Sequence, residues 1–147
     1  MADRCNCIHN TTRKFGPLTG RVLIAALFIP AGLMKIGTFA GTADHMAQAG
    51  LPMVNLLLVL TIIIELGGGL MLLLGWRARE AALVMFLFMI PVTLVFHAYW
   101  NIEDAIAMGE QQRNFMKNIA IMGGLSFIAA FGSGPLSLDG GDTPRSA

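Results

Sequence analysis

The sequence predicts an all-α fold: a bundle of four transmembrane helices, with both termini in the cytoplasm. Of its 147 residues, 55% are hydrophobic and only 13% are charged, whereas average soluble domains have roughly 25% charged residues. Four apolar segments, each close to the roughly 20 residues that cross a bilayer, occupy most of the chain. What remains suffices for short tails and connections, so we predict a single membrane domain.

We divide the chain into a polar cytoplasmic tail (1–17), a transmembrane domain (18–135) and a short cytoplasmic tail (136–147). The first span is predicted over 18–40, where packing against neighbouring helices can accommodate Pro30. A cleaved signal peptide is the competing interpretation. The apolar stretch before Lys35 is short, and Thr38-Phe-Ala40 resembles a cleavage site.

The other three spans follow from apolar runs and the residues that interrupt them. A polar loop is predicted over 41–51, and the second span over 52–75, ending at Gly75. The third span, over 81–100, contains Pro91. A polar, acidic connection over 101–114, part of which could form a short interfacial helix, leads to the fourth span over 115–131.

Basic residues set the orientation, because cytoplasmic loops carry an excess of Lys and Arg. One side of the bundle would hold Arg4, Arg13, Lys14, Arg21, Arg77, Arg79 and Arg145, and the other only Arg113 and Lys117. Both termini are therefore predicted to be cytoplasmic. Arg21, Arg77 and Arg79 are most simply interpreted as flanking charges at the cytoplasmic surface.

Glu65 is the main candidate for a functional residue, because it interrupts the apolar run of the second span. A carboxylate in that position costs about 2.5–3.5 kcal/mol on insertion scales. It lies roughly 20 Å below the start of the span, at a rise of 1.5 Å per residue. An ionisable group at that depth is expected to have a partner charge, a proton to carry or a polar ligand to hold.

All four spans carry polar residues in the outer half of the bundle, above Glu65. They are Lys35 in the first span, Asn55 in the second, His97 in the third, and Lys117 and Asn118 in the fourth. This pattern predicts a polar cavity that opens toward the outer leaflet, with Glu65 at its floor.

The ionisable residues among them also have simpler interpretations. Lys35 and Lys117 could extend to the headgroups, and His97 could belong to an interfacial aromatic belt. Glu65 could be ionised and paired with Lys35, or it could be a neutral acid that donates a hydrogen bond or relays a proton. The sequence leaves these alternatives open.

Several functions lack support in the sequence. A net charge of +1 provides no basic surface for nucleic acid. Cys5, Cys7 and His9 form a short, incomplete set of metal ligands, which is weak evidence for a metal site. Nothing indicates a haem or flavin, and no glycine-rich phosphate loop precedes a strand.

The chain resembles the DoxX family of small four-helix membrane proteins over roughly residues 21–139. The resemblance rests on short motifs in a specific order: Arg21, Phe28 and Gly32-x-x-Lys35, then Gly50-x-Pro52, Glu65-x-Gly-Gly, Gly75-x-x-x-Arg79 with Ala81-Ala82, Phe96-His97, Lys117-Asn118 with Gly123-Gly124, and Ser137-Leu-Asp139.

The resemblance implies a four-helix bundle in the bacterial cytoplasmic (inner) membrane. Some members of the family are described as subunits of thiosulfate:quinone oxidoreductase, and others as membrane anchors of redox or detoxification complexes. This sequence has no cysteine pair near the predicted outer cavity. Any thiol chemistry would therefore come from a partner.

The first functional hypothesis is a quinone-linked redox component. Glu65 and His97 would be catalytic, Lys35, Lys117 and Asn118 would bind the quinone headgroup, and a partner oxidoreductase subunit would supply electrons. The alternative is a scaffold or assembly factor whose polar cluster specifies packing or a partner interface. A small proton-coupled transporter is less favoured, because four spans without a repeat make alternating access difficult unless the protein forms a homo-oligomer.

Overall fold

The computed structural model describes residues 2–140, with side chains from residue 10 onward. Its elements are α1 (Ala2–Gly37), α2 (Phe39–Gln48), α3 (Val54–Leu74), α4 (Ala78–Phe96), a 3-10 turn (Tyr99–Asn101) and α5 (Ala105–Phe131). Within residues 2–140 there is no strand, and the all-α prediction is confirmed. The predicted roles of the side chains of Arg4, Cys5, Cys7, His9 and Arg145 lie outside the described residues.

Four helical stretches are long and apolar enough to cross a membrane: Asn10–Gly37, Val54–Leu74, Ala78–Asn101 and Ala105–Phe131. They form a ring in which α1 packs along α3, α3 beside α4, α4 beside α5, and α5 against α1. Leu72, Met85 and Leu125 are fully buried at its centre. Large apolar side chains such as Leu23 and Leu83 point outward, where lipid would surround them. The four predicted spans are thus confirmed.

The predicted polar loop over 41–51 is wrong, because most of it forms the short helix α2. This helix packs against α1 and α3, burying Met46, and the His45 ring stacks on Phe96 with centroids 5.5 Å apart. Few of its residues are strongly apolar, so its sequence pattern does not differ clearly from that of a polar loop. It ends before Gly50, whose φ of 76° suits a residue without a Cβ.

Two other boundaries differ from the prediction because the helices extend beyond the apolar runs. The last helix begins at Ala105, inside the predicted connection, and Asp104 caps it by accepting a hydrogen bond from the Ala107 N–H at 2.8 Å. The first helix begins at Ala2, so the polar segment before residue 18 is helical and continuous with the first span. Polar residues can also form a helix, but a criterion based on apolar runs detects only the apolar part of it.

The chain after α5 closes one end of the bundle. The N–H groups of Leu138 and Asp139 donate to the carbonyls of Leu74 and Gly75, at 3.1 and 3.0 Å. The Asp139 carboxylate accepts from the N–H of Arg77 at 2.8 Å and that of Ala78 at 3.1 Å. These are the unpaired groups expected at a helix C-terminus and a helix N-terminus. The segment 136–139 therefore caps both α3 and α4.

Arg21 is completely buried at the same end of the bundle. Its guanidinium donates to the carbonyls of Leu72 at 3.0 Å and Leu73 at 3.4 Å, and also to that of Leu136. A Cβ at position 75 would collide with this guanidinium, so Gly75 leaves the space that the arginine occupies. The interpretation of Arg21 as a flanking surface charge is therefore wrong. By contrast, Arg77 is exposed and pairs with Glu80 at 3.3 Å.

Replacing Arg21 should destabilise the bundle. In Arg21→Met the carbonyl of Leu136 loses a buried donor, and that of Leu72 keeps only the Gly75 N–H. An unsatisfied polar group of this kind costs about 1–3 kcal/mol. Reversible unfolding in mixed detergent micelles measures the change. The control Arg77→Met removes an exposed charge at the same end and should change the free energy of unfolding by less than about 0.5 kcal/mol. Equal effects of the two substitutions would contradict the structural role of Arg21.

The orientation in the membrane stays a prediction, and surface labelling tests it. In a Cys5→Ser, Cys7→Ser background, a cysteine replacing Glu103 should react with a membrane-impermeant maleimide in intact cells. A cysteine replacing Glu80 should react only after the cells are lysed, because it lies at the end of the bundle predicted to face the cytoplasm. Both positions are exposed, so the reversed pattern would mean the opposite orientation.

Candidate functional site

Lys35 and Glu65 form an ion pair between α1 and α3. The Lys35 Nζ donates to Glu65 Oε1 at 2.9 Å and to Oε2 at 2.8 Å. Gly32, one turn before Lys35, allows the two helices to approach: a Cβ there would lie 2.7 Å from Leu66 Cγ and 3.4 Å from Glu65 Cβ. The sequence left open whether Glu65 is paired with Lys35, and the structure shows that it is.

The two members of the pair differ in exposure. The Glu65 side chain is 8% exposed, whereas that of Lys35 is 27% exposed. A lysine ammonium has three N–H donors and no acceptor, and two of these donors are directed at the carboxylate. The third N–H of Lys35 therefore belongs to the more exposed member of the pair. The pair can thus offer one further hydrogen bond without breaking its own.

Asn118 lies in a second polar contact, between α4 and α5. Its Nδ2 donates to Thr93 Oγ1 at 3.1 Å, and the Thr93 hydroxyl donates to the Met89 carbonyl at 2.6 Å. Asn118 is 6% exposed and Thr93 is 1% exposed. Thr93 was not among the site residues predicted from the sequence, although a polar residue in an apolar span, close after Pro91, was a usable signal.

His97 and Lys117 lie near the same end of the bundle, but with partners of their own. His97 Nδ1 is 2.7 Å from Gln111 Oε1, a contact that became possible because α5 extends past the predicted span. Lys117 is exposed, and its Nζ donates to Asn114 Oδ1 at 3.1 Å. Neither Gln111 nor Asn114 was singled out from the sequence.

The structure brings together two of the five predicted site residues, Lys35 and Glu65. In the part of the chain that it describes, no hydrogen bond joins this pair to His97, Lys117 or Asn118. Helices α3 and α5 lie at opposite corners of the ring, and their backbones do not approach each other closely. Residues 10–140 also contain no group of three His, Cys, Asp or Glu side chains arranged to hold a metal ion.

Comparison with known proteins identifies the family. The DoxX family model matches residues 16–98, the stretch that contains Arg21, Lys35, Glu65 and the α3–α4 turn. The chain belongs to the DoxX family. Two relatives from Escherichia coli (strain K12) agree: inner membrane protein YqjF is 38% identical over 84% of this chain and 89% of its own length. Inner membrane protein YphA is 30% identical over 83% of this chain and 86% of its own length.

A more distant relative is the Surfeit locus protein 4 homolog of Drosophila melanogaster, 23% identical over 89% of this DoxX chain but only 42% of its own length. No solved structure matches. The names of the two bacterial relatives, together with four candidate spans, confirm the prediction of a multi-pass protein of the bacterial inner membrane.

Several motifs that carried the DoxX resemblance converge in space. Arg21, Gly75 and Asp139 meet at one end of the bundle. Gly32, Lys35 and Glu65 meet toward the other. Residues far apart in the chain thus serve two local purposes, capping the helices at one end and pairing charges in the other half.

The exposure of the Lys35–Glu65 pair predicts unequal effects of removing its two members. Lys35→Met leaves a buried carboxylate unpaired and should lower the free energy of unfolding by about 3–5 kcal/mol. Glu65→Gln should cost less, because the lysine can extend toward the headgroups. Reversible unfolding in mixed micelles gives both values. Replacing both residues by Met should recover most of the loss in Lys35→Met, and a Lys35→Met variant as stable as the wild type would show that the pair contributes nothing.

Proposed function

We propose that this DoxX protein is a membrane component of a quinone-linked redox system and that its Lys35–Glu65 pair binds the quinone headgroup. The observation that carries the proposal is the unequal exposure of the pair: a buried carboxylate holds a lysine whose side chain is 27% exposed. Neighbouring residues of α1, including Leu33 and Met34, are exposed apolar side chains. A lipid-soluble ligand would therefore approach this ammonium from the hydrocarbon.

A quinone has the chemical groups that this arrangement requires. Its carbonyl oxygen is an acceptor for the third N–H of Lys35, and its isoprenoid tail would stay in lipid. Reduction to the quinol consumes two electrons and two protons. The Lys35–Glu65 pair would transfer protons, and a partner oxidoreductase subunit would donate the electrons.

His97, Lys117 and Asn118 take a smaller part in this proposal than the sequence predicted for them. Each already has a hydrogen-bond partner on α4 or α5: Gln111, Asn114 and Thr93, respectively. Each would contact a headgroup by exchanging that bond for one to the ligand. The exposed Lys117 and the half-buried His97 can do so at lower cost than the buried Asn118, because leaving a buried group unsatisfied is expensive.

A second candidate function is a scaffold or assembly factor for a membrane complex. The observation that favours it is that both oxygens of Glu65 are already paired within the bundle. Buried ionic groups of this kind can specify one packing arrangement without any chemistry. The two candidates differ in whether a ligand reaches Lys35.

Titration with a quinone distinguishes the two candidates. In a Trp76→Phe background, quinone quenching of Trp100 fluorescence should saturate at micromolar concentration. It should weaken strongly in Glu65→Gln, where Lys35 is no longer held in place. The matched control is Glu110→Gln, which removes an exposed carboxylate of α5 and should titrate like the wild type.

Two other outcomes of the titration would contradict quinone binding at the Lys35–Glu65 pair. Non-saturable quenching that is identical in all variants reports only partition of the quinone into micelles, and it would reject the redox proposal in favour of the scaffold. Saturable quenching that Glu65→Gln leaves unchanged would place a quinone away from the pair. Circular dichroism of each variant confirms that the helices are formed.

A further inference from the structure

A groove of about 450 Å³ runs between α1 and α5, away from the Lys35–Glu65 pair. Its α1 wall includes Gly16, Gly20 and Ile24, and its α5 wall includes Gly124, Phe127 and Phe131. Almost all of its lining is apolar. The space exists because glycines occupy positions where side chains would otherwise fill it: a Cβ at Gly20 would meet nothing within 4 Å.

Arg13 stands at one end of this groove. Its side chain lines the groove and is exposed, and within residues 10–140 the structure shows no ion pair for it. Arg13 lies at the same end of the bundle as the exposed Arg77, an end where the sequence predicts the cytoplasm. An apolar groove thus ends at an exposed cationic side chain.

The groove crosses the boundary between the headgroups and the hydrocarbon. Its α1 wall extends from residue 12 to residue 24, and the first span is predicted to begin at residue 18. Arg13 lies about 7.5 Å outside that point at 1.5 Å per residue, which is the depth of the headgroup layer beside the hydrocarbon core. A phosphate beside Arg13 would therefore bring its acyl chain to the apolar part of the groove.

We propose that this groove binds an anionic phospholipid of the cytoplasmic leaflet, with one acyl chain between α1 and α5 and the phosphate at Arg13. Basic pockets between helices on the cytoplasmic side suit anionic headgroups. The exposed rings of Phe127 and Phe131, with centroids 4.5 Å apart, form an apolar surface for the chain. The lipid would fill a space that the protein leaves empty.

A second copy of the protein is a less suitable occupant. Gly16 and Gly20 have the spacing of a helix dimer motif, which would favour a second copy against this face of α1. In a symmetric dimer the same surface of both subunits is in contact. The two Arg13 side chains and their Lys14 neighbours would then lie close together, and this charge repulsion favours an anionic lipid instead.

Native mass spectrometry of the detergent-purified protein tests the proposal, with equimolar phosphatidylglycerol and phosphatidylcholine of identical chains. The wild type should retain phosphatidylglycerol about fivefold better, as expected for one cationic side chain at the membrane surface. Arg13→Gln should remove this preference while lipid is still retained. Its control Arg113→Gln removes an exposed arginine at the other end and should keep the preference.

Filling the groove provides an independent variant. Gly20→Leu should reduce retention of both lipids, because its side chain would occupy the acyl-chain space. Gly123→Leu is the matched control, since a Cβ there also meets nothing within 4 Å but it does not line the groove. Equal lipid retention by Gly20→Leu and the wild type would overturn the proposal, and so would a lipid-free dimer that Gly20→Leu dissociates. Should Gly20→Leu fail to fold, the headgroup preference of Arg13→Gln decides alone.

Discussion

Polar groups inside a bilayer must find partners within the protein, and this requirement explains the best-defined contacts of the bundle. Lipid offers no hydrogen bonds, so the carbonyls at the end of α3 bind Arg21 and the segment 136–139. In the other half of the bundle, the same requirement pairs Glu65 with Lys35. Hydrophobic contact alone could not select these arrangements, because lipid tails are as apolar as the helix surfaces.

Helix α3 is the element to which both arrangements attach. It carries Glu65 and ends at Gly75, where the absence of a side chain leaves space for Arg21. It packs along α1 through Gly32 and Gly69, where a Cβ would lie 2.7 and 2.8 Å from atoms of the facing helix. Close approach lets short polar contacts form, and these contacts in turn fix how α1 and α3 are aligned.

The sequence predicted the features that depend on local composition. Four apolar runs defined the spans, and the isolated carboxylate of Glu65 marked a polar site with Lys35 as one possible partner. The sequence did not predict α2 or the early start of α5. The structure of α2 depends on the packing of Met46, and the start of α5 depends on capping by Asp104. Nor did it predict the burial of Arg21, since a basic residue near a span end has the same local pattern whether it faces water or caps a neighbouring helix.

The geometry of the Lys35–Glu65 pair also constrains any proton chemistry at the site. With both members ionised the pair has no net charge, which lowers the free-energy cost of burying it in a membrane. Loss of one proton from Lys35 would leave an uncompensated carboxylate that is only 8% exposed, at a considerable cost in free energy. A second proton could therefore not leave before the first is replaced. Since Lys35 is the more exposed partner, replacement through the lysine is the shorter route, and a two-proton reduction at this site would proceed in two separate steps.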